Sequence, residues 1–257
     1  EVQPDGFLQG GQTLGSHGGV IVGIDLMSVS LEPGQSAVDY LFCEYEPASL
    51  SGSVWSDRDV DGKQDSDESP ISEVSIKLLN DDGVVVRTTK TDVHGRYSFD
   101  RLPPGIYRVR QQQPDDFFHG GQLIGSHGGL APEDDLIAGI SLFGGDRATG
   151  YDCPEIPPAS VSGYVFIDGS IIESEFPIDA ADSHQYRDGV FTSDDTPIPG
   201  VVIQIRDQFG APLEDGAFID GDADANSVVF TDSRGFYQIN GLRPGVYSLF
   251  QSQPEGL

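Results

Sequence analysis

Apolar and polar residues alternate over short runs along most of the chain. Ser53-Val54-Trp55, Val74-Ser75-Ile76-Lys77-Leu78, Val84-Val85-Val86, Tyr97-Ser98-Phe99 and Ile106-Tyr107-Arg108-Val109 are rich in β-branched and aromatic residues. A strand turns successive side chains to opposite faces, so these runs predict short strands, several of them half-buried. No segment with a 3.6-residue period stands out, so no long amphipathic helix is expected. Asp82-Gly83 predicts a tight hairpin between two of the runs. Leu102-Pro103-Pro104-Gly105 predicts the turn between the Tyr97 and Tyr107 strands, with Pro setting φ and Gly releasing it. Short strands with regular Gly/Pro turns predict an all-β chain of antiparallel β-sandwiches.

The pattern repeats itself. Gln3-Pro4-Asp5-Gly6-Phe7 returns as Gln113-Pro114-Asp115-Asp116-Phe117 and as Gln253-Pro254-Glu255-Gly256-Leu257. Gly-Ser-His-Gly-Gly occurs at Gly15 to Gly19 and at Gly125 to Gly129. Pro47-Ala48-Ser49 returns as Pro158-Ala159-Ser160, and Thr91-Asp92, Gly95, Tyr97, Leu102, Pro104, Gly105 and Tyr107 as Thr231-Asp232, Gly235, Tyr237, Leu242, Pro244, Gly245 and Tyr247. These anchors make residues 50–157 one whole repeat. Residues 1–49 read as the C-terminal part of a preceding repeat. Residues 158–257 read as the N-terminal part of a following one, with insertions 169–187 and 214–227. The Pro-Ala-Ser joints are short, so neighbouring repeats are expected to be closely coupled.

Charge narrows the function. The chain has 257 residues and a formal net charge of −28, from 42 acidic and 14 basic residues. Nucleic acid and anionic membranes would be repelled; bound cations or a high-salt setting fit. No run of about 20 apolar residues spans a bilayer. The two cysteines, Cys43 and Cys153, are too few for a disulfide framework and are expected to be unpaired thiols.

One acidic stretch has chemistry in its spacing. Residues 57–68 read Asp-Arg-Asp-Val-Asp-Gly-Lys-Gln-Asp-Ser-Asp-Glu, which fits D-x-D-x-D-G-x5-E, the twelve-residue calcium loop. Asp57, Asp59 and Asp61 can aim hard carboxylate oxygens at one centre. Gly62 permits the turn that brings the Lys63 carbonyl to the ion. Asp65 can reach it directly or through water, and Glu68 closes the site with two oxygens. Predicted strands flank the loop, so it is EF-hand-like without being an EF-hand. A solvated acidic loop is the plain alternative. In the last repeat Asp168 takes the place of Asp57, Asp188-Gly189 that of Asp61-Gly62, and Asp194-Asp195 that of Asp67-Glu68. The long insertion between them leaves a second candidate site, with Asp182 or His184 as further donors. A third candidate, Asp220, Asp222 and Asp224, has alternating acids but no closing Glu.

The acidic loop, then Val74-Ser75-Ile76-Lys77-Leu78, then Thr-Asp-x-x-Gly-x-Tyr-x-Phe-x-x-Leu-x-Pro-Gly-x-Tyr-x-Val, resembles the B-type repeat of serine-aspartate repeat surface adhesins. The resemblance covers residues 50–110 and, with two insertions, 158–250. It implies tandem transthyretin-like (prealbumin-like) sandwiches, stiffened by calcium at Asp57, Asp59, Asp61, the Lys63 carbonyl and Glu68. It implies stalk modules at a bacterial cell surface. Many relatives lock such sandwiches with a lysine isopeptide. Here lysine occurs only at 63, 77 and 90, so calcium is expected to replace that covalent stiffening.

An enzyme is not indicated. The five histidines show no zinc spacing, and no nucleophile elbow or phosphate loop occurs. His17 and His127 share one repeated position, which suggests a loop role common to both copies. The expectation is a non-enzymatic, extracellular stalk or filament protein whose partners are calcium and neighbouring repeats, or identical subunits joined head to tail by strand complementation. The alternative is an adhesin module that binds carbohydrate or protein through the loops inserted in the last repeat.

Overall fold

The computed structural model describes residues 1–169, 189–193, 195–219 and 227–252, and among these it contains strands and no helix. The chain divides into two compact units: residues 1–114 with 119–155, and residues 115–118 with 156–257.

The first unit opens with β1 (Leu8–Thr13), β2 (Val20–Gly23), β3 (Leu26–Ser28) and β4 (Leu41–Tyr45). It continues with β5 (Ala48–Ser56), β6 (Ser75–Asn80), β7 (Val85–Lys90), β8 (Arg96–Leu102) and β9 (Gly105–Gln111). Next come β10 (Phe118–His119), which belongs to the unit from His119 on, β11 (Leu130–Glu133), β12 (Leu136–Leu142), β13 (Arg147–Ala148) and β14 (Cys153–Ile156), which belongs to it through Glu155. One sheet has the order β10-β14-β5-β13, with β8 also paired to β5; the other has the order β11-β12-β9-β6-β7. Between them lies the core, where Leu50 and Val54 of β5 and Tyr97 and Phe99 of β8 meet Ile76 and Leu78 of β6, Val109 of β9 and Ile140 of β12. Alternation in β8 buries Tyr97 and Phe99 and exposes Arg96, Ser98 and Asp100, the period of two read from the sequence.

The hairpin at Asp82-Gly83 forms. Gly83 has φ +79°, and Asn80 N donates to Val84 O at 2.9 Å. The Pro103-Pro104 turn carries the chain from one sheet to the other, since β8 pairs with β5 and β9 with β6 and β12. Tyr107 fixes it by donating to Pro103 O at 2.7 Å. The antiparallel expectation holds for the sheet containing β6, whereas β13 and β14 run parallel to β5. Parallel neighbours need a long crossover, and residues 57–146 provide it.

The second unit contains β15 (Ala159–Tyr164), β16 (Phe166–Ile167), β17 (Thr196–Pro197), β18 (Val202–Asp207), β19 (Val228–Phe230), β20 (Phe236–Leu242) and β21 (Tyr247–Gln251). β15 pairs with β20, and β18 lies between β19 and β21. This repeats β5 on β8 and β6 between β7 and β9. Among its described residues the buried apolar side chains form two small clusters, one around Ile205, Phe218, Ile239 and Leu242, the other around Val165, Val201 and Ile203.

The Gly-Ser-His-Gly-Gly loops fold alike. Ser16 N donates to Val38 O at 2.9 Å and Tyr40 OH to Gly18 O at 2.7 Å. In the other copy Ser126 N donates to Thr149 O at 2.9 Å and Tyr151 OH to Gly128 O at 3.0 Å. His17 and His127 each lie against the preceding serine hydroxyl, the shared loop role expected of them. Burial differs. Leu26, Val29 and Leu31 are exposed, while Leu136, Ile140 and Leu142 at the matching places are buried. Cys43 and Cys153 are free thiols.

Candidate metal centre

The acidic loop leaves β5 at Ser56 and rejoins the sandwich where Trp55 bridges Pro70. It is anchored at both ends. Ser56 N donates to Ser69 O at 2.9 Å, and Asp57 N to Glu155 O on β14 at 2.8 Å. Asp57, Asp59 and Asp61 each place a carboxylate oxygen within 4.8 Å of the others. Asp57 is buried, and its carboxylate accepts from Gly62 N at 2.9 Å and Asp61 N at 3.3 Å. Glu68 is also buried and closes the loop by accepting from Arg58 N at 2.7 Å and Asp65 N at 3.0 Å. Gly62 has φ +72°, the left-handed conformation that glycine adopts at least cost.

The field inside the loop is negative. The Asp65 carboxyl is raised above its ordinary value by partial desolvation and by Asp61, Asp59, Glu68 and Asp67. Asp61 is lowered, chiefly by its hydrogen bond from Lys63, whose Nζ lies 3.0 Å away. Convergent carboxylates of this kind suit a hard divalent cation with oxygen ligands. The donor set fits calcium: three aspartates at alternate positions, a bidentate-capable Glu68, and the carbonyl after Gly62.

The second loop preserves the closure. Asp168 accepts from Gly189 N at 2.9 Å, and Asp195 accepts from Gly169 N at 2.7 Å and Thr192 N at 2.6 Å. These bonds match those of Asp57 and Glu68 and bring Asp168 and Asp195 to opposite ends of one loop. Asp188, Asp194, Asp220, Asp222 and Asp224, with Asp182 and His184, lie outside the described residues.

Another constellation went unread in the sequence. Glu155 of β14 is fully buried, and Gln113 Nε2 donates to its Oε2 at 2.6 Å while Gln111 Nε2 donates to Oε1. Burial pushes the Glu155 carboxyl up to about 7. His119 Nδ1 lies 3.2 Å from Asp135 Oδ1, and that hydrogen bond raises the imidazole above its ordinary value. The repeated Gln-Pro phrase was the available signal, because Gln113 belongs to it.

Residues 48–134 match the family model of the SdrD B-like domain. The chain is 28% identical over 238 residues to serine-aspartate repeat-containing protein D of Staphylococcus aureus strain Newman, covering 93% of this chain and 15% of that protein. It is 40% identical over 92 residues to serine-aspartate repeat-containing protein E of S. aureus strain Mu50, covering 36% of this chain and 8% of that protein. The chain thus spans a small fraction of these relatives. Among solved structures, GBS52, the minor pilin of Streptococcus agalactiae, overlaps 81% of this chain and 84% of its own at 15% identity and a TM-score of 0.31.

Proposed function

We propose that this chain is a non-enzymatic structural segment of an extracellular, cell-surface protein, built from B-type repeats that calcium stiffens. The carrying observation is the loop of residues 57–68, where Asp57, Asp59 and Asp61 converge and the buried Glu68 closes the ring. Calcium there links β5 to the outgoing strand β14 through the bond from Asp57 N to Glu155 O. The ion acts as a strut. It neutralises carboxylates that otherwise repel one another, and it fixes a loop with few apolar contacts of its own. Among the described residues no helix is long and apolar enough to cross a membrane.

Thermal melting in excess calcium and in chelator tests this. A ligand that binds only the folded state must raise the melting temperature, by about 4.1 kcal/mol of stability at a thousandfold excess over Kd. Identical melts in calcium and chelator would sink the strut.

A second observation favours assembly with a neighbouring repeat or subunit. Leu26, Val29 and Leu31 are exposed where their counterparts are core residues. In the first unit β12 pairs with β9, and Ile140 and Leu142 share the core with Leu50, Ile76 and Phe99. A segment of the β5–β9 type, such as residues 158–252 of a neighbour, has the complementary pattern. With Cys43→Ser, oxidation of Ser30→Cys together with Val246→Cys, the pair that copies Ser141 opposite Ile106, should yield disulfide-linked chains; only unlinked monomers under conditions where the chain associates would refute it.

A further inference from the structure

The joint behind the calcium loop contains charge that the loop does not explain. Glu155 is fully buried, and its two carboxylate oxygens accept hydrogen bonds from the neutral amides of Gln111 and Gln113. A buried carboxylate is ordinarily paired with a cation or coordinated to a metal. The nearby cationic candidate is His119, which is already engaged by two other acids: Asp135 at 3.2 Å and Asp134 at 3.5 Å. Three carboxylates therefore surround one imidazole.

The geometry is that of a ligand set. His119, Asp135 and Glu155 each offer an atom within 4.8 Å of the other two. The separation of His119 Nδ1 and Asp135 Oδ1, 3.2 Å, matches the edge of a zinc tetrahedron, roughly 3.3 Å for bonds of about 2.0 Å. Gln111 gives a second, independent sign. It is 3% exposed, its Nε2 holds Glu155, and its Oε1, on the same carbon, has no hydrogen-bond partner. That buried oxygen is left unsatisfied on an amide that already touches Glu155.

The arrangement recurs in the other copy. Gln3 Nε2 donates to Glu44 Oε2 at 2.5 Å, as Gln113 does to Glu155. Asp25 and Asp135 both hold left-handed backbone, with φ of 58° and 62°. Glu1, Asp25 and Glu44 again converge within 4.8 Å, and Asp25 Oδ1, Glu44 Oε1 and Gln9 Oε1 are buried without partners. Gln9 stands where the later copy has His119. A construction made twice is a built feature of the repeat, and the imidazole gives the later copy a borderline-soft donor.

We propose that His119, Asp135 and Glu155 form a second cation site, distinct from the acidic loop, that takes a zinc-class divalent ion. Imidazole with carboxylates selects such ions over calcium, which prefers oxygen alone. The ion would bind β10, the β11–β12 turn and β14 together, at the strand where the first unit ends.

The test is zinc titration by calorimetry on the calcium-saturated chain, with X-ray absorption to identify the ligands. The expected result is one zinc ion with a single imidazole in its shell. His119→Gln, which installs the residue of the first copy, and Glu155→Gln should each weaken that ion by roughly 100-fold, as losing a ligand costs at least as much as losing an outer partner. Zinc binding that survives His119→Gln unchanged, or no zinc binding to the unaltered chain, overturns the proposal. Should Glu155→Gln fail to fold, His119→Gln alone decides, because His119 is only half-buried. A melt indifferent to calcium would remove the strut and leave the zinc result standing.

Discussion

The two acidic loops share a frame and differ in filling. In both, the first acid receives the N–H of the glycine that turns the loop: Asp57 from Gly62 and Asp168 from Gly189, each at 2.9 Å. In both, the last acid receives the N–H just after the first: Glu68 from Arg58 and Asp195 from Gly169, each at 2.7 Å. The last acid's second oxygen caps a further N–H, from Asp65 in one loop and Thr192 in the other. Between first acid and glycine the earlier loop has a short link with two more acids, and the later one has a long insertion. Closure of the backbone by the terminal acids is thus separable from the middle of the ligand set. A shorter Asp195 closes the ring as Glu68 does, so closure by itself says little about the ion. The middle acids decide that.

The largest way to break this comparison is to remove the first acid. Asp57→Asn should cost about 2 kcal/mol in chelator, because one of two buried, charge-assisted acceptors is lost, and relief of repulsion from Asp59 and Asp61 offsets part of that loss. Asp168→Asn should cost less, about 1 kcal/mol, since Asp168 is only half-buried and water can replace it. Calcium should widen the first gap more than the second. Calorimetry resolving the two units checks both; equal losses at Asp57 and Asp168, with equal calcium dependence, would mean that filling does not matter.

The glycines sharpen the shared half of the comparison. Gly62 and Gly189 have φ of +72° and +71°. Among the described residues, an added Cβ at Gly62 would meet only Leu123 Cδ2, at 3.9 Å, and at Gly189 nothing within 4 Å. Alanine therefore meets no clash, and its penalty is the left-handed backbone alone, about 1–2 kcal/mol. Gly62→Ala and Gly189→Ala should lower the stability of their units by the same amount. A neutral Gly189→Ala would show that the frames are not alike.

Why one loop was legible and the joint behind it was not follows from sequence distance. Asp57 to Glu68 is a local motif whose spacing is its geometry, so register, turn glycine and closing acid could all be read directly. The second loop kept its ends in register across the insertion, and Asp168 and Asp195 were found because the flanking strands repeat. His119, Asp135 and Glu155 are far apart in sequence, and each looks like an ordinary loop or strand residue. Only the meeting of β10, the β11–β12 turn and β14 assembles them. The parallel pairing of β13 and β14 with β5 was hidden for the same reason. Alternation tells which face a strand buries, and it is silent on which way the neighbour runs. Residues 1–49 show the limit from the other side: their apolar pattern is that of a core, and the solvent exposure of Leu26 and Val29 could not be read from it.

The smallest predicted effect isolates the one ligand assigned to a backbone atom. Lys63 follows Gly62, and the place matching it in the later loop is Val190. Its ammonium is exposed and lies 3.0 Å from Asp61 Oδ2. Exposed pairs contribute little to stability, so Lys63→Val should leave the melt in chelator unchanged. The carbonyl survives the substitution, so calcium should still bind. Affinity should rise by a small factor, since Asp61 no longer shares its oxygen with a competing cation. The pH dependence has a definite sign. Lys63 holds the Asp61 carboxyl below its ordinary value, which keeps it ionised to lower pH. In Lys63→Val the Asp61 proton returns at higher pH, and the acid limb of calcium binding moves upward. Titrating calcium across that limb, in both chains, measures the shift. A large loss of affinity would assign the Lys63 side chain a positive role and would undo the equivalence with Val190.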